Sequence, residues 1–277
     1  MKLLIIEGNT AEARRQAEAA GLPSQSELYV SVLKSLRPDV ACDIICPADG
    51  AAPLPAGMAL EDYDGLVWTG SSLNIYDGTP EIMRQVDLMR ECLSRPVMMF
   101  GSCWGLQVAT VAAGGVVQAN AKGREIGIAR NIRLTEAGRV HALYQYKGGA
   151  FDSVAIHKDH VTRLPDGAVV LAENEMSAVQ AMELRRGSAV FWGVQYHPEF
   201  DIPYIAGLMW RYRDVMVAEG FCRDEEDVEQ LTADLLAAIR PDRKDLQWRY
   251  GLGADVLDPA CRLREISNWL DSLEVRE

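Results

Sequence analysis

The stretch Val97-Met98-Met99-Phe100-Gly101-Ser102-Cys103-Trp104-Gly105-Leu106-Gln107 joins an apolar run to a helical one through a Gly-x-Cys-x-Gly turn. Four apolar residues in succession before the turn read as a strand covered on both faces, the habit of a parallel sheet. The apolar segment after it reads as a helix that stops at Gly114-Gly115. A strand that turns sharply into a helix needs small residues on both sides of the corner. Such an elbow presents its central side chain above the C-terminal edge of the sheet. Cys103 then stands at a helix N-terminus, whose partial positive charge favours thiolate over thiol. An ordinary thiol, with a pKa of about 8.5, is only a few per cent ionised at neutral pH. The expectation is a Cys103 pKa pulled down toward neutrality.

Outward from this corner, strand-like runs recur at residues 2–6, 43–46, 65–69, 97–100, 168–172 and 190–195. Between the early ones lie helical stripes, Tyr29/Val32/Leu33/Leu36 and Ile82/Val86/Met89/Leu93, with Pro38 and Pro96 placed where a helix should stop. The first hundred residues therefore read β-α-β-α-β, a doubly wound α/β sheet. From about residue 125 to 195 the pattern shifts to short alternating runs, Ile126/Ile128, Ile132/Leu134 and Val154/Ile156, as in added antiparallel strands. Beyond residue 200 the chain turns helical, with stripes at Ile205/Leu208/Met209/Tyr212/Met216 and Val228/Leu231/Leu235/Ile239. The acidic run Asp224-Glu225-Glu226-Asp227 suits a helix start. The division expected is an α/β domain over 1–220 and a helical C-terminal extension over 221–277. With Trp248, Tyr250 and Trp269, that extension is too apolar for a linker and should pack on the domain or on a second copy.

Composition limits the function. The 277 residues carry 28 basic and 40 acidic side chains, a formal charge of −12, with a pI near 4.9. That field is wrong for phosphate backbones and for an acidic membrane surface. No run approaches the ~20 apolar residues of a membrane span, and residues 3–6 are too few for a signal-peptide core. Six scattered cysteines form neither a C-x-x-C nor a zinc-type spacing, so they read as reduced thiols in a cytoplasmic protein. The four histidines offer no metal-binding spacing either.

A second constellation, Phe191-Trp192-Gly193-Val194-Gln195-Tyr196-His197-Pro198-Glu199-Phe200, is an apolar strand ending in His-Pro-Glu. His197 can act as base and acid for a thiol. In an extended segment Glu199 lies on the same side as His197 and can hold its imidazole, with Pro198 stiffening the link.

With the elbow and Gln107, the segment Lys122-Gly123-Arg124-Glu125-Ile126-Gly127, the triplet His157-Lys158-Asp159 and the His-Pro-Glu strand, residues 1–205 resemble the class I, triad-type glutamine amidotransferases. The likeness is to stand-alone proteins similar to the glutaminase domain of GMP synthase. The order Cys, His, then Glu separates this pattern from α/β-hydrolases, whose acid lies between nucleophile and histidine. The resemblance implies a flavodoxin-like, mostly parallel sheet flanked by helices, with the antiparallel strands and helical extension added. It implies Cys103 as nucleophile, His197 as base and acid, and Glu199 as the group that orients His197. It also implies an oxyanion hole from the Trp104 N–H and the Thr69-Gly70-Ser71-Ser72 loop, with Gly70, Ser71, Trp104 and Gln107 at the substrate and no metal or cofactor. The reaction implied is hydrolysis of a γ-glutamyl amide, of glutamine or of a conjugate, through a thioester. The alternatives are a glutaminase subunit passing ammonia to a separate synthase, and a silent binding protein that keeps the fold. The small-molecule substrate aside, the partners left open are that synthase and a second copy of the chain.

Overall fold

A computed structural model describes residues 1–274. Its strands are β1 (Lys2–Ile6), β2 (Ala41–Ile45), β3 (Gly65–Trp68), β4 (Met98–Ser102), β5 (Val116–Ala119), β6 (Glu125–Leu134), β7 (Ala150–His157), β8 (Asp159–Arg163), β9 (Ala168–Glu173), β10 (Ala181–Arg186) and β11 (Ala189–Val194). Nine of them form one sheet in the order β2-β1-β3-β4-β11-β10-β9-β6-β7, and β5 pairs with β8. The first five in that order are parallel and the rest join antiparallel. The parallel part has the doubly wound order in which loops at the carboxyl ends of the strands build the ligand site.

The helices are α1 (Ala11–Ala19), α2 (Gln25–Leu36), α3 (Pro80–Cys92), α4 (Trp104–Ala112), α5 (Glu136–Val140), α6 (Ile202–Arg211), α7 (Arg213–Ala218), α8 (Glu225–Ala238), α9 (Lys244–Arg249), α10 (Ala254–Leu257), α11 (Pro259–Arg262) and α12 (Arg264–Glu274). Alternate residues of β1 divide between two layers, as the pleat requires. Leu3 and Ile5 pack with Tyr29 and Leu33 of α2 and Trp269 and Leu270 of α12. Leu4 and Ile6 pack with Val86 and Met89 of α3 and Leu106 and Ala109 of α4. A third cluster joins α6 and α7 to α8. The stripe expected over residues 205–216 is thus two helices, broken at Tyr212, with Met209 and Met216 in one cluster. Asp224 caps α8, its side chain accepting the Asp227 N–H, so the acidic run is a helix start.

Within residues 125–134 the two expected alternating runs are one strand with a bulge. Arg130 and Asn131 stand opposite the single Asp152, Asn131 is left-handed (φ 50°), and its N–H bonds to Asp152 Oδ1 at 2.8 Å. From the C-terminal segment, α12 lies over β3. A Cβ on Gly65 would come within 2.7 Å of the Trp269 ring and 2.8 Å of Leu273, so that glycine admits the helix. Among the described residues no helix is long and apolar enough to cross a membrane.

Candidate active site

Strands β4 and β11 are neighbours in register, with Gly101 opposite Gly193 and Ser102 opposite Val194. Their carboxyl ends therefore deliver Cys103 and His197 to one place. Cys103 is the N-cap of α4 at φ 48°, ψ −94°, a conformation few residues other than glycine adopt. Its N–H bonds to the Val194 carbonyl at 2.7 Å, and its carbonyl receives the Gln107 N–H at 3.1 Å. The flanking glycines are required by close approach. A Cβ on Gly105 would meet Trp68 Cβ at 2.7 Å and its carbonyl oxygen at 3.0 Å, and one on Gly101 would meet the Phe191 ring at 2.9 Å.

Strand β11 ends at Val194, so His-Pro-Glu is not an extended segment as expected. It is a turn closed by the Phe200 N–H on the His197 carbonyl at 3.2 Å, with Pro198 at the position its fixed φ favours. The turn achieves what the extended reading expects: His197 Nδ1 lies 2.7 Å from Glu199 Oε1. With Nδ1–H given to the carboxylate, Nε2 is the free acceptor. Glu199 Oε1 also accepts from Ser102 Oγ at 2.7 Å, which in turn accepts from Tyr29 Oη at 2.8 Å. Phe200 stacks flat on the imidazole at 3.9 Å between centroids, and Gly70 leaves room for its edge, where a Cβ would come within 2.7 Å of His197 Cε1.

Cys103, His197, Ser71 and Gln107 line one small cleft of about 200 Å³ together with Asn9, Arg124, His157, Lys158 and Asp159. Glu199 and Gly70 both adjoin His197, and neither lines this cleft. The Trp104 indole turns away to donate to Gln85 Oε1 at 2.8 Å, leaving its backbone N–H, at the first helical position, without an intrahelical acceptor. Asn9 organises the loop after β3, its Oδ1 accepting the Ser72 N–H at 3.0 Å. Glu7 holds Asn9 and α2 together by accepting the N–H groups of Asn9 (3.0 Å) and Ser26 (2.8 Å). His157 lies between Glu125 Oε2 (2.9 Å) and the Asp159 carbonyl (3.0 Å), and Asn174 and Gln180 donate to the same Glu125. The sequence reading leaves Gln195 without a role, yet it is fully buried with its Oε1 3.4 Å from Gln107 Nε2. No group of three or more His, Cys, Asp or Glu side chains is arranged to hold a metal ion among the described residues.

The expected depression of the Cys103 pKa is reversed. Burial pushes the thiol up to about 12, the Glu199 and Asp159 carboxylates add to the rise, and the Trp104 N–H and Gln195 pull back. A helix end supplies up to ~2 kcal/mol, about one and a half pKa units, whereas full burial is worth up to about 3–5 units. The thiol points at the Ile156 carbonyl, 3.7 Å away, as a neutral donor should. Since the thiolate is the reactive form, a raised pKa moves reactivity to higher pH. Iodoacetamide labelling of Cys103, read by peptide mass mapping, is expected to keep accelerating above about pH 10. A midpoint near pH 8.5 with a plateau by about pH 10, as for an ordinary thiol, would contradict this.

Residues 51–203 match the family model for class-I glutamine amidotransferases. The chain is 34% identical, over 99% of its length and 94% of the relative's, to a γ-glutamyl-L-1-hydroxyisopropylamide hydrolase from a Pseudomonas species. It is 36% identical to a GMP synthase of Corynebacterium diphtheriae over 48% of the chain and 23% of that protein. A solved glutamine amidotransferase of Thermotoga maritima superposes with a TM-score of 0.66, covering 99% of this chain and 97% of that one at 17% identity, which supports the fold. On a matched domain that spans both the elbow and the His-Pro-Glu turn, and on a relative similar from end to end, the chain belongs to the class-I glutamine amidotransferase family.

Proposed function

We propose that the chain hydrolyses the γ-glutamyl amide bond of a small conjugate through a thioester on Cys103. The observation that carries this is the opening of Cys103 and His197 onto one cleft from adjacent strands, with Glu199 hydrogen-bonded to the far side of the imidazole. The thiol proton passes to His197 Nε2 as sulfur attacks the γ-carbonyl carbon. The oxyanion is held by backbone N–H groups of Trp104 and the Gly70-Ser71 loop. His197 returns the proton to the leaving amine, the amine departs, and water, giving a proton to His197, attacks the thioester; glutamate leaves as the Cys103 sulfur departs and takes that proton back. Glu199 keeps the imidazole in the tautomer that makes Nε2 the acceptor. Because burial keeps the thiol neutral, its proton moves only as the bond to carbon forms. Gln107 closes the floor, its Nε2 3.4 Å from the Asp159 carbonyl and from Gln195 Oε1. Arg124, Lys158 and Asp159 give the cleft charges of both signs, as the zwitterionic head of a glutamyl group needs. Free thiols at all six cysteines support a reducing compartment such as the cytoplasm.

Likeness along nearly the whole chain to a hydrolase named for a γ-glutamyl amino alcohol favours a conjugate over glutamine. The test is glutamate release by the purified protein from glutamine and from a panel of γ-glutamyl amino alcohols, amines and amino acids. Faster Cys103-dependent turnover of a conjugate is the result expected. Preference for glutamine would make it a glutaminase, and no turnover of any member would overturn the self-sufficient hydrolase in favour of a subunit awaiting a synthase or a silent relative.

A further inference from the structure

Two side chains of the C-terminal segment reach the back of the His197 turn, and neither lines the cleft. Arg262, at the end of α11 and buried, donates from Nη1 to the Pro198 carbonyl at 2.9 Å. The turn closes on the His197 carbonyl and makes no use of the Pro198 carbonyl, so that buried acceptor takes its donor from Arg262. Burial lowers the guanidinium pKa while Asp201 and Glu199 hold it up, and arginine stays charged throughout. One turn on, the fully buried Glu265 accepts from Tyr196 Oη at 2.7 Å and from Lys147 Nζ at 2.6 and 2.7 Å. Tyr144 Oη completes the network, 2.8 Å from Tyr196 Oη. The residue before His197 and the residue between His197 and Glu199 are thus both tied to one segment, some 60 to 70 positions further along the chain.

We propose that Arg262 is a positioning residue. From outside the cleft it fixes the Pro198 peptide, and with it the placement of the His197 imidazole relative to Glu199 and Cys103. The C-terminal segment is then part of the active-site scaffold. A turn with functional side chains at its first and third positions transmits any rotation of the intervening peptide to both. A misplacement of about 1 Å is enough to lower a rate by roughly 10²-fold. The inference rests on the reading of Cys103 and His197 as nucleophile and base.

Arg262→Met and Arg262→Lys are compared with wild type by two readouts. The first needs no substrate: the rate of Cys103 labelling by iodoacetamide at pH 7.5 divided by the rate at pH 10. At pH 7.5 labelling draws on His197 as proton acceptor and at pH 10 on hydroxide, so a displaced imidazole lowers the ratio; His197→Asn sets its floor. The Met variant is expected to lower the ratio about 10-fold and kcat on the best γ-glutamyl substrate about 10- to 100-fold, with KM within about twofold. The Lys variant, which keeps charge and a donor, should recover most of both. Leu273→Ala, which loosens α12 away from the turn, should lower the melting temperature and leave the ratio unchanged.

A folded Arg262→Met with wild-type ratio and kcat would overturn the proposal. So would a floor equal to the wild-type ratio, or an equal fall in Leu273→Ala. Should Arg262→Met not fold, Arg262→Gln, neutral and shorter than arginine, replaces it, and there a lowered ratio supports the proposal and an unchanged one overturns it. If wild type turns over no γ-glutamyl amide, the functional reading fails while the labelling ratio still decides the positioning.

Discussion

Cys103→Ala is expected to reduce kcat/KM for γ-glutamyl amide hydrolysis by roughly 10⁴- to 10⁶-fold, with little change in stability. Loss of a covalent nucleophile leaves only the oxyanion hole and binding, which is why single nucleophile deletions remove nearly all of the acceleration. At ~1.4 kcal/mol per decade this is about 5 to 8 kcal/mol of transition-state stabilisation. The sulfur donates only weakly, 3.7 Å to the Ile156 carbonyl, and the residue's backbone bonds to Val194 and Gln107 survive substitution. The melting temperature should therefore hold within a few degrees while turnover vanishes, a separation that circular dichroism and glutamate release measure on one sample. Glu199→Gln is a graded companion. It keeps the shape and an acceptor but removes the charge that favours an imidazolium, so its loss should be smaller, about 10²- to 10⁴-fold. Residual turnover in Cys103→Ala near the wild-type level would sink the thioester route.

How far the sequence discloses this arrangement depends on whether a feature is local. The apolar runs at residues 2–6, 65–69, 97–100 and 190–195 are legible because parallel strands are buried on both faces, and the structure places strands there within one or two residues. Strand β10 is not, because its Ala-Met-Glu-Leu-Arg-Arg run carries Glu183, whose burial depends on His141, Arg185 and Trp192. The juxtaposition of His197 and Glu199 is read correctly through the wrong geometry, since a turn with proline at its second position brings the same two side chains together as a strand would. The thiol is misread because a helix N-terminus is visible in sequence and the depth of burial is not. Glu7 and Asn9 carried a usable signal, polar residues directly beyond an apolar parallel strand, at the edge where such folds bind ligands. Arg262 and Glu265 carried none, their partners lying outside any local window.

Trp269→Ala is expected to destabilise the whole domain by about 3 to 5 kcal/mol, although Trp269 lies in the last of the described helices. The indole is fully buried in the layer that also holds Leu3, Ile5, Val67 and Phe100, and its ring centroid is 5.9 Å from that of Phe100. Truncating such a side chain loses both its transfer free energy and the contacts around the cavity left behind. The backbone beneath cannot close that cavity, because Gly65 already brings β3 against the ring. Against a total stability of about 5 to 15 kcal/mol, the loss is a large fraction. For a chain of this size it should lower the melting temperature by roughly 10 °C. Trp248 is the internal contrast. It belongs to the same C-terminal segment and is equally prominent in the sequence, but it is 86% exposed. Trp248→Ala should change stability by no more than about 0.5 kcal/mol. Thermal unfolding of the two variants separates burial from composition. If they shift alike, α12 does not sit on the sheet. If Trp269→Ala unfolds early in a single transition that takes the Cys103 site with it, the last helix and the elbow share one cooperative core.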